Sequence, residues 1–260
     1  MGSDRTGGPL GRLAGRLAGR RVVVVGASTG IGRATAVAAA VAGAGVVGLA
    51  RRPELVDALT SEVGGEVSGV ACDVRSRQAC DDAVATALER LGGLDTVVYS
   101  AGVNHLALLP ATGEEDWRRL FETNVVGAAS IVAAALPTLR AVGGRVALLS
   151  SDSVADPWPG LGAYVATKAA LEALTAAWRA EEPAVSFTRA VVGPTLTGMA
   201  EAWDPELAAA MFERWHAEGR FDGIEPQPPE VVAAALVEWA ALAEVPTDLD
   251  LHLLARRPEA

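Results

Sequence analysis

The sequence predicts a single α/β domain built on a doubly wound parallel sheet of about seven strands, with helices on both faces. Short apolar runs are continuous rather than alternating, a pattern typical of strands that are buried on both faces. Ala-rich segments of helix length separate these runs, and right-handed crossovers place such helices on both sides of a sheet. No break in composition divides the 260 residues into two domains.

The order of these segments defines the expected organisation. The predicted strands lie at residues 22–25, 46–50, 67–71, 94–99, 145–150, 185–192 and 249–254. The predicted helices lie at residues 31–42, 77–91, 117–142 and 162–181, and Pro137 is expected to kink or interrupt the third. Residues 1–19 are predicted to be a flexible leader to a domain of residues 20–260. Within that domain, the Pro- and Gly-rich residues 194–229 are expected to leave the sheet as an excursion.

Charge and composition argue against several classes of function. The net charge is −10 without a block of like charges, which argues against nucleic-acid binding and against attraction to anionic lipid. The uncharged, Ala-rich stretch at residues 34–50 is shorter than the ~20 strongly apolar residues of a membrane helix, so no membrane partner is expected. Two cysteines and three histidines lack metal-ligand spacing, so no metal site is predicted. The few thiols and the absence of an apolar secretory signal indicate a cytoplasmic location.

A glycine-rich loop follows the first predicted strand and opens a helix, as in Rossmann-type nucleotide-binding domains. Its glycines, Gly26, Gly30 and Gly32, have the spacing GxxxGxG. Glycine allows a tight turn and close approach of the backbone to a pyrophosphate, and the helix N-terminus offers free N–H groups. The alternative is an ordinary glycine-rich turn. The residues expected to contact a cofactor here are Gly26, Ser28, Thr29, Gly30, Ile31 and Gly32.

The second predicted strand ends in two arginines, Arg51 and Arg52, where a site for NAD(H) usually has an acidic residue. A carboxylate would repel a 2′-phosphate, whereas a guanidinium pairs with it. We therefore predict NADP(H) rather than NAD(H), with Arg51 as the first contact, Arg52 as the second and Arg33 as an additional candidate. The alternative is that the two arginines face solvent.

Lys168 is the only lysine among 22 basic residues, and it follows Tyr164, one of two tyrosines, by four positions. In a helix this spacing puts both side chains on one face. The ammonium is expected to stabilise phenolate and lower the pKa of Tyr164 from its ordinary value of ~10. Tyr164 could then give a proton to a carbonyl oxygen or take one from an alcohol. The alternative is a buried aromatic residue beside a lysine without a chemical role.

Taken in order, these motifs resemble the short-chain dehydrogenase/reductase (SDR) family from about Leu17 onward. The glycine loop resembles the family's TGxxxGIG, and Tyr164 to Lys168 matches its YxxxK. Four further segments are similar to family motifs: Cys72-Asp73-Val74, Ser100-Ala101-Gly102, Thr123-Asn124-Val125-Val126-Gly127 and Gly193-Pro194-Thr195-Leu196-Thr197. The chain departs from the family at Val25, where a threonine is usual, at Tyr99-Ser100, where two asparagines are usual, and at Val192-Gly193, where Pro-Gly is usual. In the family, that threonine and the asparagine turn support each other. Both positions have changed here, so the contact between the glycine loop and the turn is expected to be apolar or absent.

The resemblance implies a role for each matching residue. The cofactor contacts that it adds are Asp73 and Val74 at the adenine, the turn Ser100, Ala101 and Gly102, Tyr164 and Lys168, and Gly193, Thr195 and Thr197 beside the nicotinamide. Ser151 precedes Tyr164 by the 13 residues typical of the catalytic serine and would hold the substrate oxygen, with Ser150 and Ser153 as alternatives. Asn124 would hold a water that relays protons to Lys168, which would also bind the nicotinamide ribose.

The implied activity is that of an NADP(H)-dependent oxidoreductase that interconverts a ketone and a secondary alcohol. Aromatic residues suggest a mid-sized, apolar or cyclic substrate, although the same residues could simply pack the excursion. The candidate pocket residues are His105, Trp158, Trp203, Phe212 and Trp215. The resemblance also implies a homodimer or homotetramer. Two other functions stay open: a non-redox enzyme on the same fold, such as a dehydratase, cyclase or epimerase, and a nucleotide-binding protein without turnover.

Overall fold

Seven parallel strands form one sheet in the computed structural model, which describes residues 11–63, 65–246 and 249–254. The strands are β1 (Arg21–Val25), β2 (Gly45–Ala50), β3 (Val67–Ala71), β4 (Thr96–Tyr99), β5 (Arg145–Ser151), β6 (Ser186–Val192) and β7 (Asp250–Leu253). Their order across the sheet is β3-β2-β1-β4-β5-β6-β7. The strand order therefore reverses between β1 and β4, the kind of position where open α/β sheets bind ligands. The predicted fold class is confirmed.

Helices cover both faces of this sheet. They are α1 (Gly30–Val41), α2 (Glu54–Asp57), α3 (Leu59–Val63), α4 (Arg77–Leu91), α5 (Glu114–Phe121), α6 (Gly127–Val142), α7 (Gly162–Glu181), α8 (Pro205–Ala217) and α9 (Pro229–Ala240). The helices α1 and α9 pack against one face, and α4, α6 and α7 pack against the other. Each face thus has its own apolar core. Because the strands are buried on both faces, their sequences are continuous apolar runs.

The segment before β1 belongs to the core rather than to a flexible leader. Residues 1–10 lie outside the described residues, but Leu13 and Leu17 are only 2% and 1% exposed and pack on the face that carries α1 and α9. Arg16 forms an ion pair with Glu238 of α9. The prediction of a flexible leader over residues 1–19 is therefore wrong from residue 11 onward. Leucines four residues apart within the repetitive GRLAGRLAGR stretch provide the buried contacts.

One helical stretch runs without a break from Glu114 to Val142, through α5, a π-helical segment at Glu122–Val126, and α6. The interruption expected at Pro137 does not occur. Pro137 lies on the exposed side of α6, where water can satisfy the carbonyl that loses its N–H partner.

This stretch is also, among the described residues, the single helix long and apolar enough by composition to cross a membrane. Its apolar face packs against the sheet, where Ile131, Val132, Ala135 and Leu139 are fully buried. A helix in the core of a globular domain passes the same test, so this is weak evidence for a span.

Candidate active site

The glycine-rich loop lies between β1 and α1 at the carboxyl edge of the sheet. Gly26 and Gly30 have φ values of +83° and +54°, a region that glycine adopts without strain. A Cβ at Gly32 would lie 2.2 Å from the Gly26 carbonyl oxygen, so the close start of the helix requires glycine. The N-cap residue Thr29 makes no side-chain cap, and no acidic residue lies in the first turn of α1. The first N–H groups are therefore left for an anionic group such as a pyrophosphate. The same loop and first turn hold the half-buried Ser28 and Ile31.

The turn after β4 lies directly beside this loop. The Ser100 N–H donates to the Val25 carbonyl at 3.0 Å, and a Cβ on Gly26 would lie 2.7 Å from the Ala101 nitrogen. The predicted Ser-Ala-Gly turn and the predicted phosphate loop are thus in backbone contact across neighbouring strands.

Arginines and one acid occupy the ends of β2 and β3. Arg51 and Arg52 are exposed, and neither forms an ion pair within the described part of the chain. The Arg75 Nε lies 2.9 Å from Asp73 Oδ1, and this hydrogen-bonded pair, with a smaller contribution from Arg51, lowers the pKa of Asp73. Val74 is buried beside them. Sequence reasoning missed Arg75, although a basic residue two positions after an acid at a strand end was an available signal.

Tyr99 makes a buried hydrogen bond that the sequence analysis does not predict. Its side chain is buried, and its hydroxyl donates to the Thr123 carbonyl at 2.6 Å. Burial raises the pKa of Tyr99 well above 10, so the hydroxyl keeps the proton that it donates. The phenol thus ties β4 to the residue before Asn124, a contact separate from the expected apolar one between Val25 and Tyr99, which lie side by side in the same apolar core. A buried phenol needs an acceptor, and that was the signal in the sequence.

Asn124 lies in the π-helical segment and is fully buried. Its Nδ2 donates to the Val103 carbonyl and to Thr167 Oγ1, both at 2.9 Å, and its Oδ1 accepts from the Val103 N–H at 2.9 Å. Both amide hydrogens are therefore used to clamp the turn after β4 against α7. This clamp is not the role that the resemblance implies, and the holding of a relay water stays a prediction.

Tyr164 and Lys168 lie one turn apart on α7. The Lys168 ammonium is buried, donates to the Leu149 carbonyl at 2.6 Å and lies 5.6 Å from the centre of the Tyr164 ring. A Cβ on Gly102 would lie 3.6 Å from Lys168 Nζ and 3.5 Å from Asn124 Oδ1. The turn after β4 therefore borders the amine, and glycine leaves space above it.

Burial changes the pKa values of both groups. It lowers the pKa of Lys168 to about 8 and raises the pKa of Tyr164 to about 12, the latter opposed by a hydrogen bond with Ser151. For Tyr164 the sequence argument predicts the opposite direction and is corrected. The loss of water around the phenol outweighs an ammonium that donates to Leu149 instead. At neutral pH Tyr164 is therefore a phenol that can give a proton.

The consecutive serines at the end of β5 have different partners. The Ser150 hydroxyl donates to Glu172 Oε1 at 2.6 Å, whereas Ser151 Oγ lies 2.8 Å from Ser153 Oγ. Successive strand residues point to opposite faces, and it is Ser151 whose hydrogen bonding lowers the pKa of the Tyr164 phenol. The geometry therefore favours Ser151 over Ser150, and Ser153 is a partner of Ser151.

The segment after β6 returns toward the glycine loop. The Gly193 N–H donates to the Leu253 carbonyl at 3.0 Å, and Thr195 Oγ1 donates to the Gly193 carbonyl at 2.8 Å. A Cβ on Gly30 would lie 3.3 Å from the Thr197 methyl group, so Thr197 borders the predicted phosphate site.

The aromatic residues of the excursion and of the loop after β5 form one cluster. Trp158 meets Trp215 and Phe221 edge-to-face, with ring centres 5.2 and 5.0 Å apart, and Phe212 lies 5.2 Å from Trp215. Trp215 is 1% exposed and its indole N–H donates to the Pro159 carbonyl. Trp215 therefore packs α8 onto the body of the domain, the alternative that the sequence leaves open.

Two other predicted pocket residues contact the chain near the turn after β4. The Trp203 indole N–H donates to Asn104 Oδ1 at 3.0 Å, which links the excursion to that turn. His105 Nε2 lies 3.4 Å from Asp116 Oδ2 of α5. Within residues 11–63, 65–246 and 249–254, no group of three or more His, Cys, Asp or Glu side chains could hold a metal ion.

Comparisons with known proteins agree on one family. The family model for short chain dehydrogenases matches residues 20–208. Human dehydrogenase/reductase SDR family member 2, mitochondrial, is 38% identical over 165 residues, 62% of this chain and 59% of that protein, so the match spans less than two thirds of its length.

Solved structures are similar over most of the chain. A short-chain dehydrogenase from Streptomyces avermitilis has a TM-score of 0.75 and 32% identity, covering 89% of this chain and 88% of that one. An alcohol dehydrogenase from the archaeon Thermococcus sibiricus, complexed with 5-hydroxy-NADP, has a TM-score of 0.72 and 28% identity, covering 93% and 99%.

The family match runs from β1 to the start of α8. It therefore includes the glycine loop, Asn124, Ser151, Tyr164 and Lys168, in the order and geometry described above. This chain belongs to the short-chain dehydrogenase/reductase family.

Proposed function

We propose that this oxidoreductase uses NADP(H) to interconvert a ketone and a secondary alcohol, with Tyr164 as the acid and base. The observation that carries the proposal is the meeting of Tyr164, Lys168 and Ser151 at the carboxyl edge of the sheet, beside the glycine loop. These groups bring a proton donor, a cation and a hydroxyl to one end of the sheet. That set suits the handling of a carbonyl oxygen.

The residues present fit a nicotinamide dinucleotide. The uncapped N-terminus of α1 suits a pyrophosphate, and Gly102 leaves space above the Lys168 amine for a sugar hydroxyl. The exposed Arg51 and Arg52 suit the 2′-phosphate that distinguishes NADP(H) from NAD(H). When bound, the cofactor would supply the hydride for reduction or accept it for oxidation.

Proton transfer would be the task of this chain's own side chains. In reduction, Tyr164 would give its phenolic proton to the carbonyl oxygen, which becomes the alcohol hydroxyl; in oxidation it would take that proton back. Ser151 would hold the oxygen near the phenol. A pKa of about 12 suits a proton donor to an alkoxide, and the buried Lys168 cation would stabilise the phenolate left behind.

The substrate would be mid-sized and apolar or cyclic. The excursion presents aromatic rings next to the turn after β4, and Trp203 joins the two through Asn104. Trp158 and Phe212 belong to the same cluster, which would form an apolar wall beside the catalytic groups.

The test is NADPH consumption with a panel of cyclic, aromatic and aliphatic ketones, and the reverse reaction with the matching alcohols. We expect turnover that falls by about 10²–10⁴-fold in Tyr164→Phe. Ser151→Ala should also lose most of the turnover, whereas the matched control Ser150→Ala should keep it, because Ser150 bonds Glu172 instead. Wild-type turnover in Tyr164→Phe would refute the mechanism, and tight NADPH binding without turnover would favour a non-redox enzyme.

The cofactor preference has its own test. Arg51→Ala combined with Arg52→Ala should weaken NADPH binding by about 10–100-fold, because charge-assisted hydrogen bonds to a phosphate are lost. NADH binding should change little in the same variant. Tighter binding of NADH than NADPH by the wild type would refute the preference.

We also propose a cytoplasmic homodimer or homotetramer. Phe121 of α5 and Val126 of the π-helical segment are 36% and 51% exposed, next to α7. Apolar side chains of this size on neighbouring helices suit contact with a second copy. A monomer mass in light scattering at micromolar concentration would refute it.

A further inference from the structure

Asp152 places a carboxyl group against the serine that would hold the substrate oxygen. Ser151 ends β5, and residues Asp152–Val154 form a 3-10 turn directly after it. Asp152 Oδ1 lies 3.3 Å from Ser151 Oγ, which also lies 2.8 Å from Ser153 Oγ and accepts from the Ser153 N–H at 3.3 Å. Nothing in the proposed chemistry uses this carboxyl group.

A cavity of about 310 Å³ is lined in part by Ser151 and Asp152. The other charged or titratable groups on its wall are Glu172 of α7, Arg189 of β6 and His252 of β7. The Arg189 guanidinium is already used, because it pairs with Glu172 at 2.8 Å and with Asp250. Across the described residues, no arginine or lysine lies within ion-pair distance of Asp152.

The surroundings of Asp152 therefore favour its neutral form more than usual. Burial raises the pKa of Asp152 above the ordinary 3.8, and the negative charge of Asp156 acts in the same direction. Hydrogen bonds from Ser151 and from the Ser153 backbone act against this rise. Tyr164 also senses the carboxylate, whose charge raises the pKa of the phenol.

A serine hydroxyl has only one proton to donate. When Asp152 is ionised it can only accept, so it draws the Ser151 proton toward itself and away from the substrate oxygen. When Asp152 is protonated it can donate to Ser151 Oγ, which leaves the Ser151 proton for the substrate. The two states of the carboxyl group thus reverse the direction of one hydrogen bond.

We propose that Asp152 is a positioning residue that determines whether Ser151 directs its proton to the substrate oxygen. The proposal rests on the proposed reductase function. Asp152 is not consumed in the reaction and exchanges no proton with the substrate. Its protonated form supports catalysis, and its ionised form competes with the substrate for Ser151.

The test compares kcat for ketone reduction across pH in the wild type, Asp152→Asn and Asp152→Ala. The Asn amide donates to Ser151 at every pH, so the ratio of kcat in Asp152→Asn to that in the wild type should rise about fivefold or more as Asp152 ionises. Asp152→Ala has no donor and should stay below Asp152→Asn throughout. A ratio that does not change with pH, or equal behaviour of the Asn and Ala variants, would overturn the proposal.

A matched control keeps the carboxyl group at 152 and changes its neighbour. Asp156→Asn also removes one negative charge from this loop, and loss of the Asp156 charge lowers the pKa of Asp152. Turnover of this variant should still fall with rising pH, as in the wild type, but the fall should occur at lower pH. If the pH dependence vanished in Asp156→Asn, it would belong to Asp156 and not to Asp152, which would contradict the proposal.

A second readout does not depend on turnover. Carbon-13 NMR of the Asp152 carboxyl group in the full chain should show a higher pKa in Ser151→Ala, because the hydrogen bond from Ser151 stabilises the carboxylate. An unchanged titration would overturn the contact itself. If the titration moves but no ketone is reduced, the proposed function fails and the contact stands; if ketones are reduced and the titration does not move, only the Asp152 proposal fails.

Discussion

Tyr99→Phe removes one oxygen atom from the core and tests the support of the turn after β4. The hydroxyl donates to the Thr123 carbonyl at 2.6 Å, and the side chain is 1% exposed, so water cannot replace the lost donor. A buried carbonyl left without its partner costs about 1–3 kcal/mol. For a domain of this size, each kcal/mol lowers Tm by about 2–4 °C. Because Thr123 precedes Asn124, kcat should fall as well.

The assay is urea unfolding without cofactor, which gives the free energy of unfolding independently of activity. Gly127→Ala provides a second, coupled perturbation, since a Cβ at Gly127 would lie 2.7 Å from the Tyr99 hydroxyl oxygen. Gly127→Ala should therefore cost less stability in the Tyr99→Phe background than in the wild type. A Tyr99→Phe protein within about 0.5 kcal/mol of the wild type, or strict additivity of the two changes, would refute the reasoning.

Three further predictions concern the proton chemistry, the excursion and the segment before β1. Unfolded Lys168 keeps its proton up to a pKa of about 10.5 and folded Lys168 only up to about 8, so the unfolded chain binds more protons between these values and stability rises with pH there. The free energy of unfolding of the wild type minus that of Lys168→Met should rise by about 2–3 kcal/mol between pH 8 and pH 10. A difference that stays flat would contradict the lowered pKa of Lys168. Above pH 10 the raised pKa of Tyr164 acts in the opposite direction and lowers stability as pH rises. Trp203→Phe removes the donor to Asn104 and should raise KM about two- to tenfold with kcat little changed, as steady-state kinetics would measure; an unchanged KM would show that the contact does not shape the pocket. Leu13→Ala should lower the free energy of unfolding by about 2–5 kcal/mol in urea titrations, whereas a flexible leader would lose nothing.

Most of the fold is predictable because each element carries its own pattern. The helices α4 and α7 and the strand β3 have the predicted bounds, and the other strands differ from prediction by at most two residues at an end. Patterns fail where the evidence in the chain is short or repetitive. The buried Leu13 and Leu17 lie in a repetitive stretch, and α2 and α3 are too short to show a helical period.

The features of the candidate site also divide into those that the sequence predicts and those that it does not. The loop glycines, Tyr164 and Lys168 are recognisable because spacing and residue type specify their chemistry locally. The acceptor for Tyr99 and the partner of Asp73 depend on which segments the fold brings together. The direction of the Tyr164 pKa shift depends on how much water reaches the phenol, and no spacing in the sequence encodes that quantity.

The single lysine makes this protein an unusually clean target for chemical footprinting. Amine-reactive reagents have one side chain to modify in the whole printed sequence, and it lies at the centre of the site. With a pKa of about 8, roughly half of that amine is an unprotonated nucleophile at pH 8, whereas an ordinary lysine would be almost entirely protonated. The N-terminal amine also reacts, so a mass spectrum of the digested chain, read at the peptide that carries Lys168, would report how often Lys168 becomes accessible and which ligands shield it.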